Sequence, residues 1–275
     1  MSRRLASCLC VLFLVVRLSP SAVGGDTRQL TVMTYNVLYG AGVNTEDERI
    51  ANRWSSGKYH GNRLERVISV IKHVNPDIAG VQEACSWDKD DEAAAQQVAL
   101  DLGMNFVGRS ARSRFHVALF SKFPIVSARN FPDQFSRAAI EAEIKLPDGR
   151  LLHAFVGHFN LPRSGKGQLE EIQYLAKQMK PYADDLGVFM ADTNSTYREG
   201  KDTTDALRAS GFLIAPSIQG IDQIWTSKAL SAQVKAGPSI PSALTSGVSD
   251  HRPSVVIIGI PAAEEEHGCG RLQVP

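Results

Sequence analysis

The chain has 275 residues, 43% hydrophobic and 21% charged, an ordinary globular balance that excludes a disordered or collagen-like protein. Thirty Lys and Arg stand against 29 Asp and Glu, a net charge of +1. This excludes a module that grips polyanions through bulk positive charge, but not an enzyme whose metal ion handles a phosphate. No Pro/Gly/Ser-rich linker splits the middle, so one domain is expected, large enough to bury a core without disulfides.

Arg3 and Arg4, an apolar run at 5–16 and the small residues Ala22-Val23-Gly24 follow the order of a secretory signal. The run is too short to span a bilayer. The expected organisation is a signal peptide at 1–24, a folded domain at 25–261 and a loose charged tail at 262–275, in a secreted or periplasmic protein. Cleavage removes three of the 30 basic residues and none of the 29 acidic ones, taking the net charge to −2. Cys8 and Cys10 leave as well. Cys85 and Cys269 remain, either paired in an oxidising compartment or free. No CxxC or Cys/His zinc spacing is present.

In chain order, 30–37 alternates as a strand, and Leu64, Val67, Ile68, Ile71 and Val74 follow helical spacing up to Pro76. A buried strand is expected at 78–81 and a helix at 92–102, ended by Gly103. Strands at 115–120 and 125–126 flank Pro124. Strands at 139–146 and 151–156 flank Pro147-Asp148-Gly149, a hairpin signal. A helix at 169–179 stops before Pro181, a strand covers 188–190, and a short helix at 204–209 ends by Gly211. The last strands are 221–225 and 255–260. Helices and strands mix around an antiparallel hairpin, which excludes a pure Rossmann or TIM alternation. There is no GxGxxG, P-loop or GxSxG motif and no internal repeat.

One pattern recurs: a short apolar strand runs out and a titratable or metal-capable residue follows. Asn36, Glu83, His158, Asp192 with Asn194, Asp222, and Asp250 with His251 all stand this way. Charge at the rim of buried strands costs desolvation unless it is paired or metal-bound, so these sites point to a shared rim. Carboxylate and amide oxygens are hard ligands suited to Mg²⁺ or Mn²⁺, and histidines beside carboxylates suit proton transfer near neutral pH. Singly, each residue is equally a turn former, a cap or a surface charge.

As an ordered set these pieces resemble the endonuclease/exonuclease/phosphatase superfamily, the DNase I-like metal-dependent phosphoesterases. The matching segments are TYNV, GVQE, ALFSKFPI, GHFN, ADTN, IDQIW and SDHRP, spread from about Leu30 to Ile260. The family usually writes GDxN, and Ala191 replaces that glycine here.

The resemblance implies an α/β four-layer sandwich: two mixed, mainly antiparallel sheets face to face, helices outside, and the site where loops meet at one end. It implies Glu83 as the main metal carboxylate, with Asn36 beside it and Asp250 as the second carboxylate. Asp192 and Asn194 would orient the attacking water and a phosphate oxygen. His251, oriented by Asp222, would stand at the phosphate, and His158 would assist the phosphoryl or leaving group. Asn160 and Arg163 would contact substrate. Either Asp192 or His251 would be the general base. The implied reaction is hydrolysis of a phosphate ester by in-line water attack, with Mg²⁺ or Mn²⁺, by a monomer.

IDQIW departs from the inositol 5-phosphatase motif, and a secretory signal does not suit a cytosolic deadenylase. A nuclease, slightly preferred, and a sphingomyelinase/phospholipase C-like phosphodiesterase remain, with a phosphomonoesterase or a non-catalytic binding module on the same fold behind them. Arg109, Arg112, Arg114, Arg163 and Lys166 would grip a phosphate backbone or form solvated basic loops. Trp54 and Tyr59 would serve a lipid surface, shape the substrate site or pack into the core.

Overall fold

A computed structural model describes residues 28–55, 57–59, 61, 63–109, 113–162, 167–196, 200–216, 218 and 220–262. The expected signal peptide, tail and Cys269, together with Arg112, Arg163 and Lys166, lie outside the described residues.

The N-terminal half runs β1 (Arg28–Asn36), α1 (Thr45–Trp54), α2 (Arg63–Val74), β2 (Ile78–Gln82), α3 (Ala93–Leu102), β3 (Asn105–Arg109), β4 (Val117–Ser121) and β5 (Ile125–Asn130). There follow β6 (Ala138–Lys145), β7 (Leu151–His158), α4 (Gly167–Met179), β8 (Gly187–Asp192), α5 (Lys201–Ala209) and β9 (Phe212–Ile214). The chain closes with β10 (Asp222–Ser227), α6 (Lys228–Ser231), β11 (Val234–Ala236), α7 (Ser242–Thr245) and β12 (Ser254–Ile260).

Two six-stranded sheets result, ordered β11-β12-β1-β2-β4-β3 and β5-β6-β7-β8-β10-β9. Each carries one parallel pair at its centre, β1 with β2 and β7 with β8, and antiparallel pairs elsewhere. A parallel pair needs a crossover, which α1 and α2 supply in the first sheet and α4 in the second.

Both faces of the central strands are buried, so alternate side chains join different cores. Leu30, Val32, Ile78 and Leu119 meet Ile140, Val156, Val188, Met190 and Ile224 between the sheets. Met33, Tyr35, Ala79, Val81 and Phe120 turn to the other face and pack on Val67 and Ile71 of α2 and Val98 of α3. Phe155, Phe189 and Trp225 do the same against Ile172, Leu175 and Met179 of α4. Helix, sheet, sheet, helix is therefore the layering. At Gly80 a β-carbon would stand 2.8 Å from that of Met190, so the glycine sets how closely the sheets approach.

The structure shifts several expected boundaries. The strand expected from 115 begins at Val117, and the helix expected from 92 begins at Ala93, because Glu92 adopts a left-handed φ of 61°. Six further elements escaped the pattern reading, the four-residue helices α6 and α7 among them. Helix α1 is mostly charged and buries only Asp47, Ile50 and Ala51. Strands β3, β9 and β11 are short edge strands. Among the described residues, no helix is long and apolar enough to cross a membrane.

Candidate active site

Register builds half of the site. His158 ends β7 and pairs with Asp192 at the end of β8, and Asp192 pairs with Asp222 at the start of β10. Three functional side chains thus stand on neighbouring strands at one end of the second sheet. The first sheet brings up the rest on connections: Asn36 ends β1, Glu83 follows β2, and Asp250 and His251 precede β12.

The two groups meet at Asp192, which is almost wholly buried. Its Oδ2 accepts a hydrogen bond from Asn36 Nδ2 at 2.9 Å and lies 3.3 Å from His158 Nε2 and 3.9 Å from His251 Nε2. Its Oδ1 accepts the backbone N–H of Asn194 at 2.9 Å. Asn194 takes a left-handed φ of 50°, and its side-chain amide donates to the Phe159 carbonyl. Burial opposes ionisation of Asp192. The hydrogen bond and charge of His158, the charge of His251 and the Asn36 amide outweigh it and hold this carboxyl well below the usual range.

Asp222 and His251 form the neighbouring pair, with Nδ1 2.8 Å from Asp222 Oδ2. Burial is the main cause that pushes Asp222 up to about 6, and the charge of Asp192 adds to it against the histidine's hydrogen bond. Burial works against protonation of His251, but the bond to Asp222 and the surrounding carboxylates win and lift it to about 10. The other ring nitrogen faces Asp192 and Asp250, each 3.9 Å away. The Ser249 hydroxyl donates to the Asn36 carbonyl and accepts the His251 N–H, tying this segment to the end of β1.

The resemblance places Asn36 beside Glu83, and Asn36 pairs with Gln82 across β1 and β2. The Asn36 amide is turned onto Asp192, and its Oδ1 accepts the Leu38 N–H, which leaves that oxygen a second lone pair. Glu83 is buried at a left-handed φ of 56° and accepts the Tyr39 N–H at 3.0 Å. Its carbonyl receives the Gly40 N–H, and a β-carbon at Gly40 would collide with the Cys85 carbonyl 2.0 Å away. Cys85 is buried, and burial pushes its thiol well up. Asp250 is the exposed member, bonded to Ser55 Oγ at 3.2 Å.

Asp192, Asp222 and His251 each offer a ligand atom, all within 4.8 Å of one another, and Asp222 Oδ1 is buried without a hydrogen-bond partner. Glu83 and Asp250 stand outside that tight cluster. That orphaned oxygen, the spare lone pair of Asn36 Oδ1 and the Glu83 and Asp250 carboxylates are hard donors that suit a divalent cation at this end of the sheets.

Several residues that sequence reasoning passed over hold the site. Arg137 contacts His158 Nε2, and its guanidinium lies 4.6 Å over the Phe115 ring, itself edge-on to His158. Its signal is invisible in periodicity, because it comes from Ala138 pairing with His158. Buried Arg63 donates to the carbonyls of Val37, Leu38 and Val248 and pairs with Glu48, joining the connections after β1 and before β12. From α4, Gln168 donates to the Asn160 and Thr193 carbonyls, while Glu171 accepts the Ser136 and Asn160 N–H groups. Asn160 is thereby held by its backbone, its side chain half-buried beside the site.

Two carboxylate-bearing sheets that close on a buried Asp–His network define a hydrolase of the metal-assisted kind. The Endonuclease/Exonuclease/phosphatase family model matches residues 33–251, so the chain belongs to that family, whose members are divalent-metal-dependent phosphoric ester hydrolases. Among solved structures, it is similar to a family member from Bacteroides thetaiotaomicron, at 18% identity and TM-score 0.63, covering 86% of this chain and all of that one. The catalytic domain of human Nocturnin with bound sulfate is similar at 15% identity and TM-score 0.65, over 85% and 95% of the two chains. A mannosyl-6-phosphatase of Bacteroides thetaiotaomicron follows at 19% and 0.61, over 82% and 98%. These likenesses support the fold. No curated protein sequence matches the chain.

Proposed function

We propose that the protein is a divalent-cation-dependent phosphodiesterase, exported after loss of residues 1–24, that acts as a monomer with nucleic acid as its favoured substrate. The observation that carries this reading is the row His158–Asp192–Asp222, with His251 bound to Asp222 and facing Asp192. Glu83, Asn36 and Asp250 would hold the cation, Mg²⁺ or Mn²⁺, which supplies positive charge to the phosphate when bound.

The chain's own groups divide the remaining work. Asp192, held ionised, accepts a hydrogen bond from the attacking water and orients it, with the Asn194 side chain toward a phosphate oxygen. Asp222 fixes the ring of His251 so that the protonated Nε2 donates to the phosphoryl group as charge develops. His158 and Arg137 serve the phosphoryl or leaving oxygen from the other side. Asn160 and Arg163 contact substrate.

Exposed Arg114, beside Tyr39, and Arg137 support a phosphodiester backbone as ligand. A phosphomonoester is the second reading, favoured by the likeness to a mannosyl-6-phosphatase. The test is hydrolysis of bis(p-nitrophenyl) phosphate, plasmid DNA, sphingomyelin and a sugar phosphate, with Mg²⁺ or Mn²⁺ and with EDTA. Cation-dependent cleavage of DNA ahead of the others is expected. Cleavage of the sugar phosphate alone would replace this reading with the second.

A further inference from the structure

The protein carries three tryptophans, and two of them, Trp87 and Trp225, are buried. Trp54 is 71% exposed at the last position of α1. Trp54 adjoins Ser55, whose hydroxyl donates to the Asp250 carboxylate.

The backbone that presents the ring is fixed. Ser55 N–H closes the helix onto the Ala51 carbonyl, and the Ser55 hydroxyl also bonds the Tyr59 hydroxyl. Asn52 pairs with Tyr59 through both groups of its side chain, donating to the carbonyl at 2.7 Å and accepting the N–H at 2.8 Å. Tyr59 itself is core, packed with Leu38 and Ala51 beneath the Arg63 guanidinium. Of the two aromatic residues in this stretch, one anchors it and the other is displayed.

We propose that Trp54 is the platform on which a base of a single-stranded nucleic acid stacks while the adjoining phosphate occupies the Asp192–His251 site. This rests on the phosphodiesterase reading above and deepens it. Charge favours this occupant. The Arg53 guanidinium lies 5.4 Å over the Trp54 ring, and exposed Lys58 follows, so aromatic and basic groups alternate along this segment. A bilayer would demand a contiguous apolar patch. Of the other large exposed apolar side chains among the described residues, Leu100, Val126, Leu151 and Leu213 are on separate elements, and Leu161 follows Asn160 in the connection after β7.

The test uses intrinsic fluorescence of the whole protein in EDTA, where binding proceeds without turnover. Addition of octathymidylate should quench the emission saturably, and Trp54→Ala should abolish the quench. Anisotropy of a labelled octathymidylate should show Trp54→Ala binding roughly 5- to 100-fold more weakly, with Trp54→Phe restoring most of the affinity. His251→Ala, which under the phosphodiesterase reading loses turnover and one contact to the phosphate, should bind more weakly but still show the full Trp54 quench at saturation. Unaltered affinity in Trp54→Ala, no binding by the wild type, or a response to phosphatidylcholine vesicles without one to the oligonucleotide would overturn the proposal. Full turnover in His251→Ala would sink the catalytic reading alone.

Discussion

The two sheets supply the site in different ways. His158, Asp192 and Asp222 belong to the second sheet, sit on strand ends in continuous register, and are buried against each other. Glu83 and Asp250 come from the first sheet, sit on connections, and are set by a left-handed backbone and by a bond to Ser55. The second sheet's carboxylates have nitrogen partners, several lent by Asn36 and His251 of the first sheet, while Asp222 Oδ1 has none. Glu83 and Asp250 present carboxylate oxygens, and in the reading proposed above they would hold the cation. The proposed reading thus sets the preorganised Asp–His network, shared by both sheets, apart from Glu83 and Asp250, which would hold the ion.

The sharpest break of that division is His251→Ala, expected to lower kcat by roughly 10²–10⁴ with the fold intact by circular dichroism. Turnover within a fewfold of wild type would remove His251 from the chemistry.

Next is Arg137→Ala, which removes the guanidinium beside His158. Loss of one contact to a phosphoryl group should cost roughly tenfold to several hundredfold in kcat/KM. Steady-state kinetics with an unchanged kcat/KM would return Arg137 to a purely structural stack on Phe115.

Asp222→Asn should change how stability depends on pH. His251 has a folded pKa of about 10, above its usual value, so its contribution is complete below about 6.5 and lost as pH rises through 10. Asp222, raised to about 6, contributes below about 4 and loses that contribution as pH rises through 6. Asp192, held low, contributes above about 4 and loses it in acid. In EDTA the urea midpoint of the wild type should therefore fall between pH 7 and 10. The fall should shrink in Asp222→Asn, and an identical fall would show that another group titrates there.

The smallest effect concerns the seam between the sheets. Gly80→Ala pushes a methyl toward Met190 and should cost about 1–3 kcal/mol in urea unfolding. A neutral result would mean that the sheets give way at this point.

The strand ends were legible because each polar residue follows an apolar run, and the ordered set then pointed to the family and its sandwich. Helix α1 was not legible, since a helix that buries Ile50 and Ala51 among charges leaves no apolar stripe to find. Asn44 did carry a local cue, because its side chain caps the Asp47 N–H at 2.8 Å. Arg137, Gln168 and Glu171 were out of reach for another reason. They matter through cross-strand register and through loops 20 to 35 residues away, which spacing along the chain does not encode. The turn of Asn36 toward Asp192 across 156 residues belongs to the same class.

The division of labour is tested most directly by titrating Mg²⁺ against turnover of bis(p-nitrophenyl) phosphate in Glu83→Gln and Asp192→Asn side by side. The account predicts that Glu83→Gln needs far more cation but recovers much of its rate at saturation. Asp192→Asn should stay slow at every concentration. A Glu83→Gln titration that matches wild type, or an Asp192→Asn enzyme rescued by cation, would contradict it.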